Sequence, residues 1–138
     1  MDEIHRLFVY GSLMEGFFNA PLLRGAIAAR HEARIRGELY HQPEKGYPAM
    51  LEGDDWVYGE LIWLRDFDAV ITSVDAAEHY LAPNNPRNEY NRVLREVESL
   101  EDHRRYQAYV YMYNCRDYDA FRERARYLPD GRWEVYMT

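Results

Sequence analysis

One stretch of this 138-residue chain carries a sustained helical repeat. Behind Asp66, the residues Phe67, Val70, Ile71, Val74 and Leu81 recur at three- and four-residue steps, which predicts a capped amphipathic helix that stops before Pro83. On either side of it the apolar residues gather in short runs and alternations of β type. Leu7-Phe8-Val9-Tyr10 is a buried strand that ends at Gly11-Ser12, and Arg34 to His41 is a second strand. Ala49 to Glu52 and Val57 to Leu64 read as a hairpin around Gly53-Asp54-Asp55, with Gly59 marking a bulge or a close backbone approach. Beyond the helix, residues 82–88 concentrate turn formers into a loop, followed by strands Tyr90 to Glu98 and Arg105 to Asn114. The second of these places Tyr109, Tyr111 and Tyr113 on one face and Val110 and Met112 on the other. Asn19 ahead of Pro21 predicts a short helical turn closed by Gly25. Asp117 predicts a last helix to Leu128, before a short strand from Trp133 to Tyr136.

Strands outnumber helices, and the helices fall singly between groups of strands. That pattern predicts the α+β class, with a curled sheet or small mixed β-barrel and a few flanking helices. Residues 1–138 are expected to form a single domain, since the length suits one core and no repeat or linker interrupts it.

Charge narrows the partners. The chain carries 24 acidic and 17 basic side chains for a net charge of −7, and the arginines are scattered among carboxylates. A nucleic-acid partner and an anionic membrane surface are therefore disfavoured. The lone Cys115 closes no intrachain disulfide, and no apolar stretch reaches the length of a membrane span, so a cytoplasmic protein is expected. The five histidines lack metal-ligand spacing, and no metal or other cofactor is implied. Cys115 itself reads as a packed side chain and not as a nucleophile.

Two features carry chemistry. Extending the helical stripe from Val74 by four residues lands on Glu78, which puts a carboxylate where apolar side chains are buried, while Asp75 and His79 turn away toward water. A desolvated glutamate has a raised pKa and suits proton transfer near neutrality. The same position also suits a structural glutamate paired with an arginine such as Arg92. The second feature is the turn Tyr10-Gly11-Ser12-Leu13, where a strand runs into small residues and leaves backbone N–H groups free for an anion or a carbonyl oxygen. Phe17-Phe18 stand where a phosphate loop needs lysine and serine or threonine, and Gly11-Ser12-Leu13 completes only half of a serine-hydrolase elbow.

Taken in order, Phe8-Val9-Tyr10-Gly11-Ser12-Leu13, with Asn19 and Leu22-Leu23, resembles the opening of the gamma-glutamylcyclotransferase-like family. Tyr47-Pro48-Ala49 and Val57-Tyr58-Gly59-Glu60-Leu61 resemble its middle. Val74-Asp75-Ala76-Ala77-Glu78-His79-Tyr80 followed by Tyr90-Asn91-Arg92 resembles its acidic helix, and Tyr109-Val110-Tyr111 with Gly131-Arg132-Trp133 its close. The resemblance implies a small mixed barrel with a pocket and a metal-independent enzyme of acyltransferase or lyase type. Its substrate would be a small γ-glutamylamine or related amide, cyclised to 5-oxoproline with release of the amine. Glu78 would be the catalytic base and acid, and Tyr10, Gly11, Ser12, Leu13 and Tyr90 would bind substrate. A non-catalytic module using the same pocket to recognise a small ligand is the alternative, and the sequence leaves monomer or homodimer open. His79 stands where the family often has glycine, and the resemblance puts substrate selection near loop 82–88.

Overall fold

The computed structural model describes residues 4–11, 13–14 and 20–137; Ser12 and Asn19 lie outside them. Its strands are β1 (Arg6–Val9), β2 (Ile27–Gln42), β3 (Tyr47–Leu64), β4 (Tyr90–Ser99), β5 (Arg105–Tyr113) and β6 (Arg126–Tyr127). Helices α1 (Phe67–Ala77), α2 (Tyr118–Arg124) and α3 (Trp133–Tyr136), with a 3-10 turn at Ala20–Leu23, complete the order.

The sheet runs β3-β1-β5-β4-β2-β6, and β2 also pairs with β3, so the first five strands close on themselves as a barrel. All pairings are antiparallel except β1 with β5, which run parallel. Closure removes the exposed edges that an open sheet would carry. The predicted mixed barrel is thus the observed one.

Alternation sorts most strand side chains between two larger cores, with Tyr40, Ala49, Leu51 and Phe121 in a third, smaller one. Phe8, Ile35, Leu61, Val97, Val110 and Met112 fill the barrel interior. The other face of β1, β3 and β5 sends Leu7, Val9 and Ile62 toward the stripe Phe67, Ile71 and Val74 of α1. Tyr109, Tyr111 and Tyr113 share that outer side, as their alternation requires. Gly59 lies under β1, where an added Cβ would strike the Val9 carbonyl, so the close approach read from sequence is present.

Several boundaries differ. Residues 53–55 are not a hairpin turn. They belong to one continuous β3, and the hairpin closes earlier, at residues 43–46, where Gly46 has φ +78° and donates to the Gln42 carbonyl at 2.8 Å. The pairing of β2 and β3 jumps from Arg36↔Trp56 to Glu38↔Leu51, so residues 52–55 bulge opposite Gly37. Arg34 and Arg36 hold this bulge, stacking on the Trp56 ring at 3.8 and 3.6 Å.

Helix α1 stops at Ala77, and Leu81 is 62% exposed instead of completing the stripe. The end is a Schellman closure. The N–H of His79 bonds the Ala76 carbonyl at 3.2 Å, that of Tyr80 bonds the Asp75 carbonyl at 2.9 Å, and His79 takes φ +53°. Asp66 sits at the N-cap with φ +48° and makes no side-chain capping bond. Asp117 does cap α2, accepting from the Ala120 N–H at 3.1 Å. That helix ends at Arg124 and not at Leu128, because residues 126–127 pair with β2. Residues 133–136 form a helical turn and not a strand; the buried Trp133 anchors them in the barrel. Among the described residues no helix is long and apolar enough to cross a membrane.

Candidate active site

At one end of the barrel the close of β1, the starts of β3 and β4, the close of β5 and the C-terminus of α1 converge on a pocket. Phe8, Val9, Tyr10, Gly11 and Leu13 line it from the first strand and turn, Tyr47 and Pro48 from β3, and Glu78, Tyr90 and Tyr111 complete it. It holds a cavity of about 30 Å³ inside a concavity of about 360 Å³ that includes its open mouth. Of the residues singled out in the sequence, Tyr10, Gly11, Leu13, Glu78 and Tyr90 all meet here, although Glu78 follows Gly11 by more than sixty positions.

The helix end accounts for the placement of Glu78. Val74 and Ile71 are buried on the same side, and the Glu78 N–H still bonds the Val74 carbonyl at 2.9 Å, so the last turn keeps its register through the cap. Glu78 therefore continues the stripe into the pocket even though the helix proper ends one residue earlier. Among the described residues no hydrogen-bond donor or cation pairs with its carboxylate. Burial pushes this carboxyl from 4.5 up to about 7, and the nearby Glu89 carboxylate acts in the same direction.

Arg92 does not pair with Glu78. Its Nε lies 3.0 Å from Asp75 Oδ1, and the guanidinium stacks on the Tyr109 and Tyr80 rings at 4.9 and 5.4 Å. Asp75 also accepts from the Tyr111 hydroxyl at 2.6 Å, so it faces protein and not open water as its helical angle suggested. The arginine that periodicity offered to Glu78 is thus engaged one turn earlier, and among the described residues Glu78 is left as the pocket's unpaired acid.

A tyrosine network surrounds it. Tyr10 donates to the Tyr111 carbonyl at 2.5 Å, and Tyr90 donates to the Pro48 carbonyl at 2.5 Å while accepting from Gln42 Nε2 at 3.0 Å. Gln42 is fully buried and its Oε1 accepts from Arg124 at 3.1 Å. Tyr47 donates to Glu89 at 2.7 Å, and Lys45 holds the same carboxylate oxygen at 2.5 Å. Gly11 lies flat against Pro48: a Cβ there would stand 2.5 Å from Pro48 Cγ. The sequence pattern does not single out Tyr47, Pro48, Tyr111 or Gln42 as site residues. Tyr111 is visible there as one of three alternating tyrosines and within Tyr109-Val110-Tyr111, without a site role, and Gln42 gives no signal, since a polar residue ending a strand is ordinarily exposed.

Cys115 is partly buried, and burial pushes its thiol up, which suits a packed side chain. Among the described residues no group of three or more histidine, cysteine, aspartate or glutamate side chains gathers as a metal site.

Comparison with known proteins gives the architecture a family. A family model described as gamma-glutamyl cyclotransferase, AIG2-like, matches residues 7–135. The gamma-L-glutamyl-butirosin B gamma-glutamyl cyclotransferase of Niallia circulans is 32% identical over 112 residues, covering 81% of this chain and 69% of that enzyme. Among solved structures, YkqA from Bacillus subtilis superposes with a TM-score of 0.70 at 22% identity, covering 98% of this chain and 41% of its own, so this chain spans about two fifths of its length. An AIG2-like protein from Mus musculus superposes with a TM-score of 0.67 at 16% identity, covering 96% of this chain and 90% of that one. The two structural likenesses establish a shared fold. The family match over nearly the whole chain goes further: this chain belongs to the gamma-glutamyl cyclotransferase, AIG2-like family, a family of cyclotransferase enzymes.

Proposed function

We propose that the pocket cyclises the γ-glutamyl group of a γ-glutamylamine or related amide, with Glu78 as the proton shuttle. Ionised Glu78 takes one proton from the α-ammonium, and the lone pair so freed attacks the γ-carbonyl carbon. Collapse of the tetrahedral intermediate breaks the bond to the amine, Glu78 returns its proton to the departing nitrogen and then relays to it the second proton that the attacking nitrogen sheds, so 5-oxoproline and the amine in its ammonium form leave with all atoms accounted for. The turn Tyr10-Gly11-Ser12-Leu13 would hold the glutamyl portion through backbone N–H groups and stabilise charge on the carbonyl oxygen. Tyr90 completes the substrate wall.

The observation that carries this reading is a buried carboxyl, unpaired among the described residues, held at about 7 inside a pocket. Near neutrality such a group is populated in both protonation states, as a base that must later act as an acid requires. The family supplies the reaction class, and the Niallia circulans relative acts on a γ-glutamyl compound.

The test is incubation with a panel of γ-glutamyl compounds and assay of 5-oxoproline. Wild-type protein should release it, and Glu78→Gln should abolish turnover while keeping ligand binding, because the amide preserves shape and loses proton chemistry. A glutamine variant active within a few-fold of wild type refutes the assignment. Binding without 5-oxoproline from any compound would make the pocket a recognition site.

A further inference from the structure

We propose that the tyrosines around Glu78 form an acceptor-only wall that selects a primary ammonium group, with the Tyr90 and Tyr10 oxygens as its specificity-determining atoms. The inference rests on the reading that the pocket takes a γ-glutamyl group, and it assigns the side of that group which the tyrosines recognise.

A phenol has one proton and two lone pairs. In this pocket every tyrosine proton is committed elsewhere. Tyr10 and Tyr90 give theirs to the carbonyl oxygens of Tyr111 and Pro48, which can only accept. Tyr47 gives its proton to Glu89, a carboxylate that Lys45 also holds, and Tyr111 gives its proton to Asp75, which Arg92 also holds. Four hydroxyls are oriented by four acceptors. Any of their oxygens that faces the cavity therefore meets a ligand with a lone pair and not with a proton.

Tyr90 is fixed from a second direction. An arginine has donors and no acceptor, so the bond from Arg124 must end on Gln42 Oε1, which turns Nε2 of the same amide toward Tyr90. The phenol oxygen accepts there, and its proton is left to choose between Pro48 and the cavity. Turning it into the cavity would leave the buried Pro48 carbonyl without its donor, and an unpaired buried acceptor is strongly disfavoured. Burial also holds Tyr10 and Tyr90 far above the ordinary tyrosine range, so neither ionises.

An ammonium has three donors and no acceptor, and it satisfies such a wall. A carboxylate or carbonyl oxygen brought to the same place sets lone pair against lone pair. An α-amino acid head thus fits in one sense only, with its ammonium on the tyrosine oxygens and Glu78 and its carboxylate turned away from them.

Turnover cannot test this, because cyclisation needs the free amine in any case. Binding can. γ-Glutamylethylamide and glutaric acid monoethylamide differ only by the α-amino group, and both would be titrated calorimetrically into the Glu78→Gln protein. The ammonium probe should bind at least ten-fold tighter. Tyr90→Phe and Tyr10→Phe should each remove most of that preference while leaving the deamino probe within about two-fold, which also reports that the variants are folded. Equal weakening of both probes, no weakening of either, or no binding of the ammonium probe overturns the proposal. The two readings fail separately: ammonium-selective binding without 5-oxoproline from wild type removes the cyclisation and keeps the wall, whereas 5-oxoproline release with unselective phenylalanine effects does the reverse.

Discussion

Replacing Glu78 by glutamine should stabilise the protein at alkaline pH and do so much less in acid. The folded carboxyl titrates at about 7 against an unfolded value of 4.5, so the folded state binds the proton more tightly than the unfolded one. A group raised in this way contributes its full stability below the unfolded value and loses it as pH climbs through the folded value. The complete swing is about 3 kcal/mol, since every tenfold gain in proton affinity corresponds to about 1.4 kcal/mol. Between pH 5 and pH 8 the linkage relation leaves about 2.5 kcal/mol of it, because some has already been lost at pH 5. Glutamine does not titrate, so wild type should fall behind the variant by that amount between the two conditions. Urea midpoints of both proteins at pH 5 and pH 8, with equal m-values, measure the difference. An amount near zero would mean that Glu78 is solvated. A variant that loses ground at pH 8 would mean that a cation holds the carboxylate in solution, and Glu78 would then be no unpaired acid.

Glu89→Gln removes the like charge that helps to raise Glu78, so the ascending limb of the pH profile of kcat/KM should move to lower pH; an unmoved limb would sever Glu89 from the site. Gly11→Ala forces a Cβ to within 2.5 Å of Pro48 Cγ, and should cost about 1–3 kcal/mol of stability and more activity than Ser12→Ala, read by urea midpoint and 5-oxoproline release. His79→Gly should raise stability by about 1 kcal/mol, because φ +53° at the helix end suits glycine and strains histidine; an unchanged melting temperature would refute this account of the helix end.

What the sequence made legible follows from which forces are local. Strands β1 and β5 alternate over several residues with one face on each core, and their period survives into the structure. The hairpin at residues 53–55 misled because Gly-Asp-Asp is strong turn chemistry, and nothing nearby in sequence reveals that Arg34 and Arg36 of the neighbouring strand clamp Trp56 and keep the chain extended. Trp133 misled in the same way. Its β-prone neighbours suggest a strand, while its burial in the barrel imposes a helical turn. For the site, periodicity found Glu78 but not its partners. The choice between a paired and an unpaired carboxylate turned on Arg92, and only the fold shows that Asp75 occupies it.

That arrangement explains why a single helix end can hold two acids to different uses. Asp75 and Glu78 are three residues apart and share a turn, yet Arg92, rising from β4, reaches the first and not the second. Had the cation reached Glu78, its proton affinity would fall and the group would be a poor acid at neutrality. By binding Asp75 the arginine instead fixes Tyr111, whose carbonyl orients Tyr10, and so builds the wall opposite the free acid. Moving the cation one helical turn therefore tests the whole construction. Asp75→Asn frees Arg92 from its partner beside an unpaired glutamate, and should lower the proton affinity of Glu78 toward that of an ordinary carboxylate. The pH midpoint of kcat/KM would then fall together with kcat, whereas simple loosening of the helix end would lower kcat and leave the midpoint in place.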